Sequence, residues 1–270
     1  MTLQDKTAVV TGAAHGIGEA LARRLAACGA GRVVLVDIDS EGVSRVAEEV
    51  GGLARVVDVC APEQVACLIG EIQTEFGAID YCFSNAGIAV GGGLETEVED
   101  WCRAWEVNAL AHVHLARLVI PGMASRGEGR FVITASAAGL VSNVTAGPYA
   151  VAKASAVAFA EWLAINYGDS GVKVSCLCPQ GVDTRMLEAD DPLMAFLRKG
   201  ALSPDQVVDA VFRGLEANQF LILPHHEVAD YFRRKAGDYD RWLEGMRRFR
   251  RSLSTRRDDH ETIRNENVKG

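Results

Sequence analysis

Short runs of apolar, largely β-branched residues alternate along the chain with longer stretches of mixed polarity. The runs at 7–11, 32–37, 53–59, 79–84, 130–136, 172–178 and 219–223 read as seven strands. Several are almost continuously apolar, as expected of strands covered on both faces of a sheet. Helical patterns begin near Gly16, Ser40, Pro62, Val98, Pro148, Ser203 and His226. Strand, helix, strand repetition at this spacing predicts an α/β domain built on a doubly wound sheet of about seven parallel strands flanked by helices. One domain is expected over 1–250, and 251–270 reads as a polar tail without periodicity. The stretch at about 184–202 reads as a long loop acting as a lid. Within it Glu188, Asp190 and Asp191 read as a solvated face. Apolar residues recur at helical spacing through about 226–250, with arginines and lysines between them, which predicts one basic amphipathic helix. That helix suits either an extension covering a cleft mouth in an oligomer or a partner or membrane surface.

Composition narrows the function. Of 270 residues, 49% are hydrophobic and 24% charged, an ordinary globular balance. The net charge of −8 argues against nucleic acid as a partner. Seven cysteines are scattered without metal-ligand spacing, so reduced, buried thiols in a cytoplasmic protein are expected and no metal site. The first residues lack the charged and apolar regions of a secretory signal, and no apolar run is long enough to span a membrane.

The segment Thr11-Gly12-Ala13-Ala14-His15-Gly16-Ile17-Gly18 follows the first strand and opens a helix. Glycines there permit a tight turn, close approach of a pyrophosphate to the backbone, and close packing of helix on strand. The helix N-terminus adds free N–H groups and the positive end of its dipole. Asp37, followed by Ile38, ends the second strand about 20 residues on, where an acid meets the adenosine ribose hydroxyls. A carboxylate there repels a 2′-phosphate, and neither His15 nor Ile38 offers a permanent cation, so NAD is expected over NADP. Further along, Tyr149 precedes Lys153 by four residues, which puts phenol and ammonium on one helix face, and Ser136 lies upstream.

With these residues the chain resembles the short-chain dehydrogenase/reductase family over about residues 5–224, and a Rossmann-type fold is implied. The family's acid after the third strand matches Asp58, followed by Val59. Its NAG motif matches Asn85-Ala86-Gly87, preceded by Ser84 where the family often has asparagine. Its catalytic asparagine, serine, tyrosine and lysine match Asn108, Ser136, Tyr149 and Lys153. Its PGxVxT stretch matches Pro179, Gly181, Val182 and Thr184, with Gln180 replacing a glycine. The resemblance implies hydride exchange between NAD and a secondary alcohol or ketone. Tyr149 would act as general acid/base and Ser136 would hold the substrate oxygen. Lys153 would lower the phenol's pKa and contact the nicotinamide ribose, and Asn108 would fix a water in a proton relay. The apolar lid residues Met186, Leu187, Leu193, Met194, Phe196 and Leu197 suggest a hydrophobic substrate. Helices around 101–124 and 148–167 are apolar on more than one side, and the resemblance makes them the face of a homodimer or homotetramer. A dinucleotide sensor of the same fold that has lost catalysis is the competing reading, and a membrane-associated scaffold is a third.

Overall fold

The computed structural model describes residues 3–188 and 191–267, with side chains described as far as Leu253. Elements follow in the order β1 (Thr7–Thr11), α1 (Gly16–Ala27), β2 (Arg32–Asp37), α2 (Ser40–Val50), β3 (Leu53–Val56), α3 (Pro62–Phe76), β4 (Tyr81–Ser84), α4 (Val98–Trp105), a π-helical segment (Glu106–Leu110), α5 (Ala111–Arg126), β5 (Gly129–Thr134), α6 (Ala137–Val141), α7 (Gly147–Tyr167), β6 (Val172–Leu177), α8 (Pro192–Leu197), α9 (Pro204–Glu216), β7 (Leu221–Ile222), α10 (Glu227–Gly237) and α11 (Tyr239–Asn267). The strands form one parallel sheet in the order β3-β2-β1-β4-β5-β6-β7.

Because β1 sits between β2 and β4, the direction of winding reverses there. The strand ends on either side of that reversal splay apart and leave a crevice at their carboxyl end. Two cores pack against the sheet. One holds Val9, Val34, Leu115, Phe131 and Leu163, and the other holds Leu21, Leu25, Leu35, Phe83 and Val211. The strands are apolar on both faces because both faces are covered, which is the doubly wound Rossmann-type arrangement in a single domain.

Several boundaries differ from the sequence reading. β3 stops at Val56 rather than running to residue 59, since Val57 N–H still bonds the Asp37 carbonyl and the chain then turns at Asp58. β7 contains only Leu221 and Ile222 and pairs on one side alone. The lid is not a plain loop. It holds two 3₁₀ turns, Arg185–Glu188 and Arg198–Gly200, and helix α8. Asp191 is not a solvated face residue either, because it caps α8 by accepting from Leu193 N–H at 2.7 Å and Met194 N–H at 3.2 Å. Asp190 lies outside the described residues. The expected single C-terminal helix is two helices, broken at Asp238 (φ −155°, ψ 94°), whose carboxylate caps the second by accepting from Arg241 N–H. α11 continues through the stretch read as a polar tail. Among the cysteines, Cys82, Cys176 and Cys178 are buried, whereas Cys67 and Cys102 are exposed. No helix among the described residues is long and apolar enough to cross a membrane.

Candidate active site

A cleft of about 1510 Å³ opens at the carboxyl ends of β1, β4, β5 and β6. Its floor at one end is the turn from β1 into α1. Gly12 has φ +65°, and a Cβ there would lie 2.8 Å from Ala86 Cα. A Cβ on Gly18 would run into the Gly12 carbonyl, so only glycine lets α1 pack this close to the turn. The Thr11 hydroxyl accepts from Asn85 and Ala86 N–H at 2.9 and 3.1 Å, and the Asn85 side chain donates to Thr11 O and accepts from the Thr134 hydroxyl. Asn85 therefore ties β1 to β5 across the end of β4. The Asp37 carboxylate accepts from Ala14 and Asp39 N–H, both at 3.0 Å, and faces the cleft with its position fixed. Asp39, the cap of α2, is held below the usual carboxylate range by Gly42 N–H and then by His15, whose Nε2 lies 2.7 Å away. Arg185 Nη1 lies 2.9 Å from the same His15 nitrogen. The sequence reading counted only His15 and Ile38 near this end, so it missed a permanent cation.

At the other end stand Ser136, Tyr149 and Lys153. Ser136 caps α6, accepting from Ala138 N–H at 3.1 Å, and its hydroxyl also hydrogen-bonds the Tyr149 phenol. Lys153 is 2% exposed, donates to the Thr134 carbonyl at 2.8 Å, and lies 5.8 Å from the centroid of the Tyr149 ring. Burial pushes its pKa down to about 8. Burial also pushes the Tyr149 phenol up, and the hydrogen bond from Ser136 offsets part of that. In the protein alone the phenol thus lies above its ordinary value, with desolvation outweighing the Ser136 hydrogen bond, and the expected lowering by Lys153 is not among its causes.

Asn108 lies in the π-helical segment between α4 and α5. Such one-turn widenings recur where a helix must aim a particular residue. Its side chain accepts from Ile88 N–H at 3.1 Å and donates to Ile88 O at 3.0 Å, bracing the loop after β4. A Cβ on Gly87 would lie 2.9 Å from Asn108 Oδ1 and 3.3 Å from Lys153 Nζ, so these three form one cluster. Behind it, fully buried His112 has Nδ1 2.6 Å from the Ser84 hydroxyl. Its pKa is driven down to about 3 by burial and then by the charge of Lys153.

The more apolar end of the cleft is lined by Val141, Val144, Leu193, Phe196, Trp242 and Met246 among others. The C-terminal helices cover this end. Phe249 of α11 meets Phe196 of α8 edge-on at 5.2 Å, and Lys235 donates to the Leu140 carbonyl at 2.7 Å.

Of the residues picked from sequence, Gly12, His15, Gly16, Ile17, Asp37, Ile38, Asp58, Val59, Asn85, Ala86, Gly87, Ser136, Tyr149, Lys153, Pro179, Gly181, Val182 and Thr184 all line this cleft. Ala14, Gly18 and Asn108 do not line it but sit behind its wall, Ala14 holding Asp37 and Asn108 holding Ile88. Gln180 lines it and donates its N–H to His225 Nδ1 at 3.2 Å. Missed by the sequence reading were Thr134, Arg185, the contact of Ser84 with His112 and the place of Arg234 and Arg241 on the cleft wall, although the arginines themselves were read as part of a basic helix. Thr134 could have been read from its place at the end of β5, whereas the others become neighbours only through the fold.

Among proteins of known activity, 1-deoxy-11-beta-hydroxypentalenate dehydrogenase of Streptomyces avermitilis is 35% identical over 237 residues, 84% of this chain and 87% of the relative. D-beta-hydroxybutyrate dehydrogenase of Rhizobium meliloti is 32% identical over 241 residues, 86% and 92% of the two chains. A solved short chain dehydrogenase/reductase from Burkholderia phymatum in complex with NAD superposes with a TM-score of 0.81 at 29% identity, covering 89% of this chain and 96% of its own. A 3-ketoacyl-(acyl-carrier-protein) reductase from Brucella melitensis complexed with NADH gives 0.74 at 28% identity, covering 82% and 97%. The model for short chain dehydrogenase matches residues 6–193, and with relatives above 30% identity along most of its length this protein belongs to the short-chain dehydrogenase family.

Proposed function

We propose that this chain is an NAD-dependent oxidoreductase interconverting a secondary alcohol and a ketone, with Tyr149 as general acid/base. The observation that carries the reading is that Ser136, Tyr149 and Lys153 share one end of a cleft whose other end is the glycine turn and Asp37. The cradle fits a dinucleotide. Gly12 and Gly18 leave no room for a side chain, and the Asp37 carboxylate is fixed facing the cleft to accept from ribose hydroxyls. A bound nicotinamide supplies the hydride exchange. The protein's share is geometric and electrostatic. Ser136 donates to the substrate oxygen as charge builds there, and Tyr149 exchanges a proton with that oxygen. Lys153, anchored on Thr134 O, holds its charge against the phenol side, and Asn108 fixes the loop carrying Gly87 and Ile88. Arg185 adds a cation near the ribose end, so the preference for NAD rests on Asp37.

Relatives named as dehydrogenases of a hydroxybutyrate and of a butanediol support a CH–OH substrate. The apolar wall suits one with a hydrophobic body. Trp162 and Ile165 on α7, 53% and 79% exposed, favour a homodimer or homotetramer through that face. Tyr149→Phe tests the assignment: turnover of a secondary alcohol with NAD should fall by at least about 100-fold, the usual scale of general acid/base catalysis, with NADH affinity within about twofold. Undiminished turnover in the variant would refute it, whereas NADH binding by the wild type without turnover of any alcohol would favour the sensor reading.

A further inference from the structure

The C-terminal cap carries charges that the proposed chemistry does not use. Tyr231, Trp242, Met246 and Phe249 complete the apolar wall, but Arg234 of α10 and Arg241 of α11 line the same cleft. Their neighbours on these helices are engaged. Arg233 pairs with Asp230 at 2.7 Å, Arg248 with Glu244 at 3.8 Å, and Lys235 donates to Leu140 O. Arg234 and Arg241 have no side-chain hydrogen bond or ion pair with any described residue. The acids bordering that end, Asp191 and Asp238, already accept from backbone N–H groups at helix starts. So two exposed arginines from different helices border a largely apolar cleft, in a chain whose net charge is −8.

A guanidinium offers a planar fork of donors that matches a carboxylate, and two of them at the rim of an apolar cleft can hold the charged end of a ligand whose body lies inside. Beside a reaction centre at one end of the cleft, such groups select the far end of a substrate. Building on the redox reading above, we propose that the substrate is an alcohol or ketone with an apolar body and a carboxylate, and that Arg234 and Arg241 bind that carboxylate.

The experiment compares (ω−1)-hydroxy fatty acids of increasing chain length, from 5-hydroxyhexanoate to 11-hydroxydodecanoate, with their methyl esters as hydride donors to NAD. Binding of octanoate, decanoate and dodecanoate against the matching primary alcohols is measured by calorimetry. At one chain length or more the acid should exceed the ester by about tenfold or more in kcat/KM, the scale of one charge-assisted hydrogen bond. The gain should appear in KM and shrink as salt is raised in the wild-type protein. In Arg234→Gln/Arg241→Gln the ratio of acid to ester should fall to about one, whereas Arg247→Gln, outside the cleft, should leave it in place. Equal use of acid and ester at every length, or a preference that survives the double substitution, would overturn the proposal. Arginine-dependent binding of the fatty acids without hydride transfer from any alcohol would support the anion site and sink the redox reading instead.

Discussion

Lowering the pH should destabilise this protein through one imidazole. His112 is fully buried beneath the reaction end of the cleft, Nδ1 against the Ser84 hydroxyl and Nε2 without a partner among the described residues. Its pKa falls from 6.5 to about 3, first because burial penalises the charged ring and then because Lys153 is close. The unfolded chain takes up a proton as pH drops through 6.5, and the folded chain does not until about 3. The stability this neutral ring allows is therefore fully present above 6.5 and is lost progressively toward 3. At pH 5 the unfolded state gains about RT ln(1 + 10^1.5), or about 2 kcal/mol, a figure that hardly changes if the folded value lies one unit higher.

The measurement is urea denaturation at about pH 7.5 and pH 5, for the wild type and for Ser84→Ala/His112→Leu. Removing both partners avoids stranding a buried hydroxyl, which alone would cost about 1–3 kcal/mol. His225, also lowered by burial, contributes with the same sign in both proteins and cancels in the difference. The wild type should lose about 2 kcal/mol more than the variant between the two pH values. Parallel losses would show that His112 accepts a proton in the folded state and would refute the reasoning.

Three other changes probe the cleft. Gly18→Ala forces a methyl group against the Gly12 carbonyl, so NADH affinity, read by fluorescence titration, should fall about 10–100-fold while far-ultraviolet circular dichroism stays that of a folded chain. Asp37→Ser removes the carboxylate that repels a 2′-phosphate and leaves Arg185 nearby, so the ratio of NAD to NADP efficiency in steady-state assays should drop by about tenfold or more. Asn108→Ala strands Ile88 N–H and O, which should cost about 2–3 kcal/mol in urea denaturation and lower kcat together with stability.

How much of this was legible in the sequence depended on whether the signal was local. The strands that carry the site could be read because covered strands are apolar throughout, and the glycine turn because backbone conformation constrains residue type within a few positions. The lid helix also had a local signal that went unread: Asp191 followed by Pro192 is a cap and a first helical residue. Likewise Gly237-Asp238 marked the break between α10 and α11 inside an otherwise periodic pattern. The π-helical segment that aims Asn108 is a shift of hydrogen-bond register, and no residue pattern specifies it. Ser84 and His112, 28 positions apart, have no sequence relation that announces their contact. Yet Ser84 was already visible as a departure from the resembling family, and the fold supplies a physical reason, since a small hydroxyl there leaves room for and bonds the imidazole.

The same neighbourhood redistributes the roles implied by resemblance. Lys153 spends a hydrogen bond on Thr134 O and stands 5.8 Å from the Tyr149 ring centroid, while burial works against both the ammonium and the phenolate. Within the protein the influence that lowers the phenol's pKa is the Ser136 hydrogen bond. On the proposed chemistry Ser136, fixed by its bond from Ala138 N–H, has one O–H to give, so it favours the phenolate only until the substrate oxygen takes that hydrogen bond. At neutral pH a lysine titrating near 8 is still mostly charged, so the roles proposed for it at the ribose and in a proton path would not require it to be the main source of phenol acidity. On the proposed chemistry an oxidised nicotinamide bound beside the ring would supply a further positive charge that favours the phenolate. Burial would then serve that chemistry, because desolvation keeps the Tyr149 phenol neutral in the protein alone.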